Sequence, residues 1–409
     1  MSDPSTDPAA AAHRLEEALF EVRRVIVGQE HMVERLFVAL LARGHILLEG
    51  LPGVAKTLAV STLSEVIGGS FVRLQFTPDL LPSDLMGTRI WRQSKEGFDI
   101  EWGPVFANFV LTDEINRAPA KVQSALLEIM AERQVSIGGE TKALPAPFLV
   151  LATQNPIESE GVYTLPEAQR DRFLMKVTVD YPTPADELEI VRRMGVSPPE
   201  ARQVLSIEQL LALQEAADRV YVDAGVAQYA VDLVMATREP SHRGLAELEP
   251  LIEFGVSPRA TLGLVAAARG IAVLRGRNYA TPQDVFDVAR DVLRHRLMLT
   301  YEALAKNLSV DDVLNRLLSV VPAAAISPRD AVTPAATPAP PAASPGVAAP
   351  APPPPTETFP TPGAPVAGDT PTPPVTQTPT PVTAPAPPAD AGQALPPPPP
   401  PDLLGGNRS

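Results

Sequence analysis

The sequence has 409 residues, a formal net charge of −14 and no cysteine. The acidic balance gives no strong signal for nucleic-acid binding, and the lack of cysteine excludes disulfides, thiolate metal sites and cysteine nucleophiles. The N-terminus is polar and acidic, unlike a signal peptide, and no apolar run reaches the roughly 18 residues of a membrane-spanning helix. We therefore expect a cytoplasmic protein without a transmembrane segment.

Proline separates a tail from the rest of the chain. The last 88 residues, 322–409, hold 29 of the 48 prolines and consist mainly of alanine, proline and threonine. Such a segment cannot bury a core, so we predict a disordered, partly polyproline II tail. A solvated linker is the usual role of such a tail, and PxxP-type recognition by a partner is the alternative. Residues 1–11 are predicted to form a disordered leader.

Two helical patterns lead into a loop of special composition. Apolar residues recur at helical intervals over 12–27 and again over 32–42, and Gly28 separates the two runs. The second run continues directly into residues 45–48, which have the composition of a buried strand. The sequence GLPGVAKT follows at residues 50–57.

Strand, loop and helix therefore come in the order of a phosphate-binding loop. In such a loop glycines turn backbone amides inward, Lys56 reaches the β- and γ-phosphates, and Thr57 holds Mg²⁺ through its hydroxyl. Ala55 stands where the usual pattern has its second glycine. We expect this position to be right-handed helical, because a Cβ fits there without strain.

A long segment, 76–103, follows the strand candidate at 71–75. Its length and its two tryptophans, Trp91 and Trp102, predict an insertion with structure of its own. The tryptophans are expected to form the local core of the insertion, and a stacking platform for bases is the alternative. A hairpin is predicted over 134–142.

Polar side chains end two further apolar strand candidates. Residues 109–114 close with Asp113, expected to orient the Mg²⁺ shell, and Glu114, expected to polarise the attacking water. Taken alone, this pair could equally be a solvent-facing strand end. The strand at 148–152 is followed by Asn155, which lies where ligands bind in open α/β sheets; an ordinary turn residue is the alternative.

The rest of the folded part is mainly helical. Residues 165–180 predict a short helix, with Arg170 and Arg172 beside it, and then a strand. Four later helices carry apolar stripes, at 207–220, 226–238, 258–274 and 282–297. Arg259 falls in the first turn of the third, where it could reach a shared cleft or simply extend along the surface. Strands that alternate with helices predict a parallel sheet covered on both faces.

Five motifs occur in a fixed order: GLPGVAKT, FVLTDEINRAP, LATQNP, LPEAQRDRF and FGVSPR. In these motifs the chain resembles the MoxR family of AAA+ ATPases over about residues 12–300, and Ala55 is typical of that family. The resemblance implies an α/β fold with three parts: an αβα nucleotide-binding domain with a parallel five-stranded sheet over 12–184, an all-α lid over 185–321, and the tail.

By the same resemblance, ATP and Mg²⁺ are the cofactors. Lys56 and Thr57 correspond to the Walker A lysine and metal ligand, and Asp113 and Glu114 to Walker B, with Asp113 on the Mg²⁺ side. Asn155 corresponds to sensor 1. The residues expected to surround the nucleotide are Val27, Gly28, Gln29, Gly50, Leu51, Pro52, Gly53, Val54, Ala55, Lys56, Thr57 and Leu58.

Three arginines are candidates for catalytic cations. Arg172 is the preferred arginine finger, which would reach the γ-phosphate bound by a neighbouring subunit, because it keeps the Asp-Arg-Phe context of the family. Arg170 is the alternative finger. Arg259 matches sensor 2 on the lid. A finger supplied by a neighbour can raise the rate by roughly 10³ to 10⁵.

The resemblance also implies partners. It points to a homo-oligomeric ring, a hexamer, and to protein clients, often with von Willebrand factor type A domains, that are remodelled, assembled or activated in a chaperone-like manner. The insertion looks like the segment that lines the pore or contacts clients. A nucleic-acid motor is one alternative, disfavoured by the acidic charge. A nucleotide-switched scaffold that does not hydrolyse ATP is the other, disfavoured because it would need neither Glu114 nor Arg172.

Overall fold

The computed structural model describes residues 8–156, 163–195, 198–321 and 323. The predicted tail, apart from residue 323, and residues 1–7 of the predicted leader lie outside this part of the chain. Among the described residues, no helix is both long and apolar enough to cross a membrane.

Helices and strands alternate through the first half of the chain, and helices dominate the second. The helices are α1 (Pro8–Val25), α2 (Glu30–Leu41), α3 (Lys56–Ile67), α4 (Pro82–Met86), α5 (Ala120–Glu132), α6 (Glu167–Arg170), α7 (Pro184–Met194), α8 (Ile207–Asp218), α9 (Ala224–Arg238), α10 (Pro258–Leu274), α11 (Pro282–Leu293), α12 (Tyr301–Ala305) and α13 (Val310–Val320). The strands are β1 (Ile46–Gly50), β2 (Phe71–Gln75), β3 (Gly87–Arg92), β4 (Gly97–Trp102), β5 (Phe109–Asp113), β6 (Gln134–Ile137), β7 (Glu140–Ala143), β8 (Leu149–Gln154), β9 (Met175–Val179), β10 (Ile252–Phe254) and β11 (Met298–Leu299).

Five of these strands form one parallel sheet in the order β2–β5–β8–β1–β9. The inner strands are apolar and almost wholly buried because helices cover both faces of the sheet. One core packs against α1, α2 and α3 and continues into the later helices, and the other packs against α5. The predicted αβα fold with a parallel five-stranded sheet and a helical lid is therefore confirmed.

Helix α10 lies at the centre of the lid. It packs against α8, α9 and α11 and also against α2 of the sheet domain. Glycine makes this close approach possible: a Cβ on Gly270 would lie 3.2 Å from the carbonyl oxygen of Val38 in α2. The lid and the sheet domain therefore share one continuous apolar core.

The insertion has structure of its own, as predicted. Helix α4 precedes the antiparallel hairpin of β3 and β4, whose register pairs Gly87 with Trp102. Trp102 is partly buried and packs edge-to-face on Phe106, with ring centroids 5.1 Å apart. Trp91, however, is 57% exposed and packs on Phe98 at the surface. The expectation that Trp91 forms local core is wrong, because no second layer covers that face among the described residues.

Two helix ends differ from the sequence prediction by four residues, and the other differences are smaller. Helix α1 begins at Pro8, four residues before the expected start, since proline suits the first turn and the alanines that follow favour a helix. Helix α11 ends at Leu293, not at residue 297. Beyond it the chain turns, and Arg296 donates hydrogen bonds to the carbonyl oxygens of Phe173 and Leu174.

His45 is a fully buried polar side chain at the start of β1. Its Nδ1 accepts a hydrogen bond from the Val150 N–H at 3.0 Å, and its Nε2 donates to the carbonyl oxygen of Met130 at 3.2 Å. Burial lowers the pKa of His45 to about 4, with a smaller contribution from the charge of Arg133. The folded protein therefore holds this imidazole in its neutral form.

The lowered pKa predicts a loss of stability in mild acid. The unfolded chain takes up a proton on His45 near pH 6.5, whereas the folded chain does so only near pH 4. The stabilising contribution is thus complete above pH 6.5 and falls by about 3 kcal/mol as the pH drops to 4. Urea unfolding at a series of pH values should show this slope.

His45→Gln should flatten that slope in part, since His295 is also buried with a lowered pKa and retains its own contribution. His242→Gln is the matched control, because His242 is largely exposed and should leave the slope as it is. A His45→Gln profile identical to the unmodified one would contradict the assignment.

Candidate active site

The loop between β1 and α3 bounds an open cavity at the carboxyl edge of the sheet. Gly50 lies so close to β9 that a Cβ would be 2.3 Å from the carbonyl oxygen of Val179, so glycine is required there. Gly53 has a φ of +83°, in the left-handed region that glycine adopts without strain. The cavity measures about 380 Å³. It is lined by Pro52, Gly53, Ala55, Lys56, Thr57, Leu58, Arg73, Gln75, Asp113, Glu114, Thr153, Gln154 and Asn155.

Ala55 adopts a left-handed conformation, with φ 61° and ψ 19°. The expectation of a right-handed helical position is wrong, because α3 begins one residue later, at Lys56, and Ala55 still belongs to the turn. This conformation costs an L-residue with a Cβ about 1 kcal/mol or more. The position therefore keeps the backbone shape of the usual glycine although the side chain differs.

Lys56 begins α3, and its side chain folds back over the loop. Its Nζ donates to the carbonyl oxygens of Gly50 and Leu51, the latter at 3.1 Å. Burial lowers the pKa of Lys56, and the charges of Asp113 and Glu114 oppose that shift. The ammonium group is thus held between loop carbonyl groups and the carboxylates of the same cavity.

Asp113 and Glu114 occupy the end of β5, as predicted. Thr153, on the neighbouring strand β8, donates its hydroxyl to Asp113 Oδ1 at 3.1 Å and accepts the Glu114 N–H at 2.9 Å. Glu114 is left-handed, with a φ of 56°, an uncommon conformation that is often found at functional sites. Thr153 therefore fixes both the Asp113 carboxylate and the turn that presents Glu114.

Two residues of the edge strand β2 also contact the carboxylates. Arg73 Nε lies 2.6 Å from Asp113 Oδ2, and Gln75 Nε2 donates to Glu114 Oε2 at 2.9 Å. Arg117 forms a further ion pair with Glu114 at 2.9 Å. Arg73 and Gln75 lie outside the sequence motifs and were not predicted, although their alternation along β2 puts both on one face.

Thr57 and Asp113 fit a magnesium site. They line the same cavity, and one hydroxyl and one carboxylate suffice when phosphate oxygens and water complete the coordination. Among the described residues, no cluster of three or more histidine, aspartate or glutamate side chains is arranged to hold a metal without a ligand. This donor set suits a cation that arrives with a nucleotide.

The segment Val27, Gly28 and Gln29 lies beside the end of β9. Gln29 is buried and donates its Nε2 to the carbonyl oxygen of Asp180 at 2.9 Å. Asp180 directly follows the residue that packs on Gly50. The segment therefore lies near the phosphate loop. Its contact with the nucleotide remains a prediction. Of the loop residues named from the sequence, Gly50, Leu51 and Val54 are not among those that line the cavity, and Val54 is buried in the core.

Arg172 and Arg259 lie in a different cavity, of about 510 Å³, at the opposite edge of the sheet. Residues at the amino ends of β1 and β9 line it, among them Gly44 and Leu174. Arg172 is exposed there, and Arg259 lies in the first turn of α10, as predicted. The structure thus separates both arginines from Lys56.

Asp171 links this second cavity to the lid. It accepts hydrogen bonds from the Ser257 hydroxyl at 2.9 Å and from Arg296 Nε at 2.7 Å, and it pairs with Arg259 at 3.5 Å. Arg296 is almost fully buried. Three lid residues therefore hold the carboxylate that directly precedes Arg172.

Sequence comparisons bear on these two cavities. The profile of the ATPase family associated with various cellular activities (AAA) matches residues 45–175, and that of the AAA lid domain matches residues 246–317. Chaperone MoxR1 of Mycobacterium tuberculosis is 61% identical over 313 residues, which are 76% of this chain and 83% of that protein. This chain belongs to the MoxR family of AAA+ ATPases. Protein MoxR of Paracoccus denitrificans is 33% identical over 76% of this chain and 97% of that protein.

The fold of this MoxR-family chain is also seen in a solved structure. The crystal structure of a candidate ATPase from Cytophaga hutchinsonii is 44% identical, with a TM-score of 0.73, and the match covers 78% of this chain and 97% of that one. The AAA profile spans the phosphate loop, both carboxylates, Asn155 and Arg172, and the lid profile spans Arg259. All the candidate catalytic residues of this MoxR-family chain therefore fall within the matched domains.

Ala55→Gly should stabilise the MoxR-family chain. Glycine removes the cost of the left-handed Cβ, which exceeds the added backbone entropy of the unfolded state, so we expect a gain of up to about 1 kcal/mol in the free energy of unfolding. Denaturant titration measures it. Ala125→Gly, the same change inside the right-handed helix α5, is the control and should lose about 1 kcal/mol. A loss of stability in both variants would contradict the strain at Ala55.

Proposed function

We propose that the chain binds ATP with Mg²⁺ and hydrolyses it. One observation carries this proposal: Lys56, Thr57, Asp113, Glu114 and Asn155 come from separate motifs and line a single cavity at the carboxyl edge of a parallel sheet. Ligands bind at that edge in open α/β sheets. The cavity offers a cation for phosphate, a hydroxyl and a carboxylate for the metal, and a second carboxylate for water.

Each residue has a distinct role in this proposal. Lys56 neutralises the β- and γ-phosphates, and Thr57 with Asp113 holds Mg²⁺, which polarises the phosphoryl oxygens when bound. Glu114 accepts a proton from the water whose oxygen attacks the γ-phosphorus, and ADP leaves as the bond to its β-phosphate oxygen breaks. Asn155 positions that water.

The second cavity supports action between subunits. Arg172 precedes the amino end of β9, whereas the phosphate loop packs against its carboxyl end at Val179. A five-residue strand spans about 16 Å, so Arg172 does not reach the phosphates of its own chain. Arg259 shares the same cavity. We therefore assign both arginines to the nucleotide of a neighbour.

This placement favours a ring. Residues that serve a neighbour's site from the opposite face make a head-to-tail interface, and such an interface closes into a ring when its rotation permits. The MoxR-family resemblance suggests a hexamer. Arg172 is preferred over Arg170 as the finger, because Arg170 is half-buried and its buried Nε has no hydrogen-bond partner among the described residues.

We further propose chaperone-like remodelling, assembly or activation of protein clients, with von Willebrand factor type A domains as candidate partners. The 61% identity to a protein named as a chaperone supports this proposal. The β3–β4 hairpin exposes Trp91 and Phe98 and is a suitable surface for a client. A cytoplasmic location stays a prediction. Neither a nucleic-acid motor nor a non-hydrolysing scaffold gains support from a specific structural observation.

Two substitutions should separate binding from hydrolysis. Lys56→Ala should abolish ATP binding in calorimetry, because the loop loses its cation. Glu114→Gln should retain binding but lower steady-state turnover by about 10² to 10⁴, since the general base is lost. Glu128→Gln on the exposed face of α5 is the control and should leave both unchanged. Unimpaired binding by Lys56→Ala would rule out the site.

Mixing inactive subunits tests the arginine assignment. Arg172→Ala should bind ATP normally but turn over slowly, because it lacks the cation for its neighbour's phosphates. Mixed with Lys56→Ala subunits in equal amounts, it should regain up to about a quarter of the normal turnover, as the finger and the phosphate loop come from different chains.

Arg170→Ala is the matched control and should retain turnover without mixing. Light scattering with and without nucleotide shows whether the mixed subunits assemble. Rings that form yet regain no activity would contradict the assignment of Arg172 to a neighbour's nucleotide.

A further inference from the structure

Arg73 is a second cationic side chain, beside Lys56, that lines the phosphate cavity, and none of the sequence motifs contains it. Phe71, Arg73 and Gln75 share one face of β2, and Gln75 lies opposite Asp113 in the parallel register. Arg73 is therefore a diagonal neighbour of Asp113, close enough for a long side chain to reach it. Its Nε lies 2.6 Å from Asp113 Oδ2.

The two carboxylate oxygens of Asp113 have partners that differ in burial: one partner is buried and the other is exposed. Oδ1 accepts from Thr153, which is buried between strands and cannot leave without disturbing the sheet. Oδ2 is held by Arg73, whose side chain is 54% exposed, whereas that of Asp113 is only 9% exposed. One partner is thus fixed and the other can move into the open part of the cavity.

A divalent cation and Arg73 compete for the same carboxylate. The guanidinium neutralises Asp113 and satisfies its buried oxygen, so this carboxylate is not left as an unpaired buried charge. A metal ion at Oδ2 would lie beside the guanidinium if Arg73 stayed in place, and two positive charges at that separation repel each other. Metal binding at Asp113 therefore requires Arg73 to withdraw.

We propose that Arg73 sets the Mg²⁺ concentration at which the site is half occupied. It holds Asp113 when no divalent cation is bound and releases that carboxylate when metal and nucleotide enter together. This inference rests on the proposed function, because it presumes a magnesium nucleotide in the cavity. Arg73 is a positioning residue in this scheme, since it acts through Asp113.

The test measures the Mg²⁺ concentration at which nucleotide binding is half-maximal, in the absence of ATP hydrolysis. The full chain is given a fluorescent (mant) derivative of a non-hydrolysable ATP analogue, and binding is followed as free Mg²⁺ is raised. Arg73→Gln should shift the Mg²⁺ midpoint about threefold to tenfold lower, because the competitor is gone. All variants meet the same metal–nucleotide equilibrium in solution, so a shift reports on the protein. Arg73→Met serves the same purpose if the glutamine variant does not fold.

Two control variants define the cause. Arg92→Gln removes a similarly exposed arginine that pairs with Asp99 in the hairpin, away from the cavity, and should leave the midpoint unchanged. Arg73→Lys keeps the charge and should return the midpoint toward that of the unmodified chain. A lysine variant that behaves like the glutamine variant would show that charge is not the cause, and would overturn the proposal.

A second pair of substitutions isolates the contact. If Arg73 acts through Asp113, then adding Arg73→Gln to Asp113→Asn should cause no further shift of the midpoint, whereas the single change does. Mn²⁺ in place of Mg²⁺, counted by electron paramagnetic resonance, gives the metal occupancy directly and should follow the same order of variants.

Three outcomes contradict the proposal or its basis, and they differ from one another. An unchanged midpoint in Arg73→Gln would refute competition. Weaker nucleotide binding by that variant at every Mg²⁺ concentration, zero included, would make Arg73 a direct phosphate ligand and also overturn it. Absence of nucleotide binding by the unmodified chain would refute the proposed function itself, and this shows in the first titration.

Discussion

The parallel direction of the five strands is the constraint on which both cavities depend. All carboxyl ends meet at one edge, so β2, β5 and β8 deliver polar residues to the same place as Lys56 and Thr57, which follow the loop after β1. All amino ends meet at the other edge, where the segment before β9 presents its arginines. One chain therefore has its candidate phosphate-binding residues at one edge of the sheet and Arg172 and Arg259 at the other, as the proposed action between subunits requires. An antiparallel sheet would mix the two sets of residues along both edges.

Neighbouring strands also organise the carboxylates before any ligand arrives. Thr153 on β8 and Arg73 on β2 contact Asp113 from either side, and Thr153 at the same time accepts the N–H of Glu114. The Thr153 contacts hold Asp113 and the turn at Glu114 in place, which lowers the reorganisation needed when charge develops during a reaction. The strained backbone at Ala55 and Glu114 lies at the same cavity, where surrounding contacts maintain uncommon conformations.

Features that depend on a short sequence pattern could be predicted from the sequence. Features that depend on contacts between distant residues could not. The phosphate loop, the carboxylate pair and the lid helices have short-range patterns, and the structure places them where those patterns indicate. Arg73 was missed because its contact depends on the register between β2 and β5, which no local pattern encodes. The left-handed conformation of Ala55 depends on a single φ angle. Trp91 is exposed because, among the described residues, no second layer covers its face of the hairpin. Arg259 lies in the other cavity because the lid is positioned by contacts between distant parts of the chain, namely the packing of α10 on α2 and the bonds of Ser257 and Arg296 to Asp171.

The bonds of Asp171 have a mechanical consequence. Ser257 and Arg296 anchor this carboxylate to the lid, and the carboxylate sits one peptide bond from Arg172. A rotation of the helical lid would therefore pull on the segment that leads into β9 and displace Arg172. Under the proposed function, in which Arg172 serves a neighbour's nucleotide, this linkage transmits a displacement of one chain's lid to the active site of the next chain.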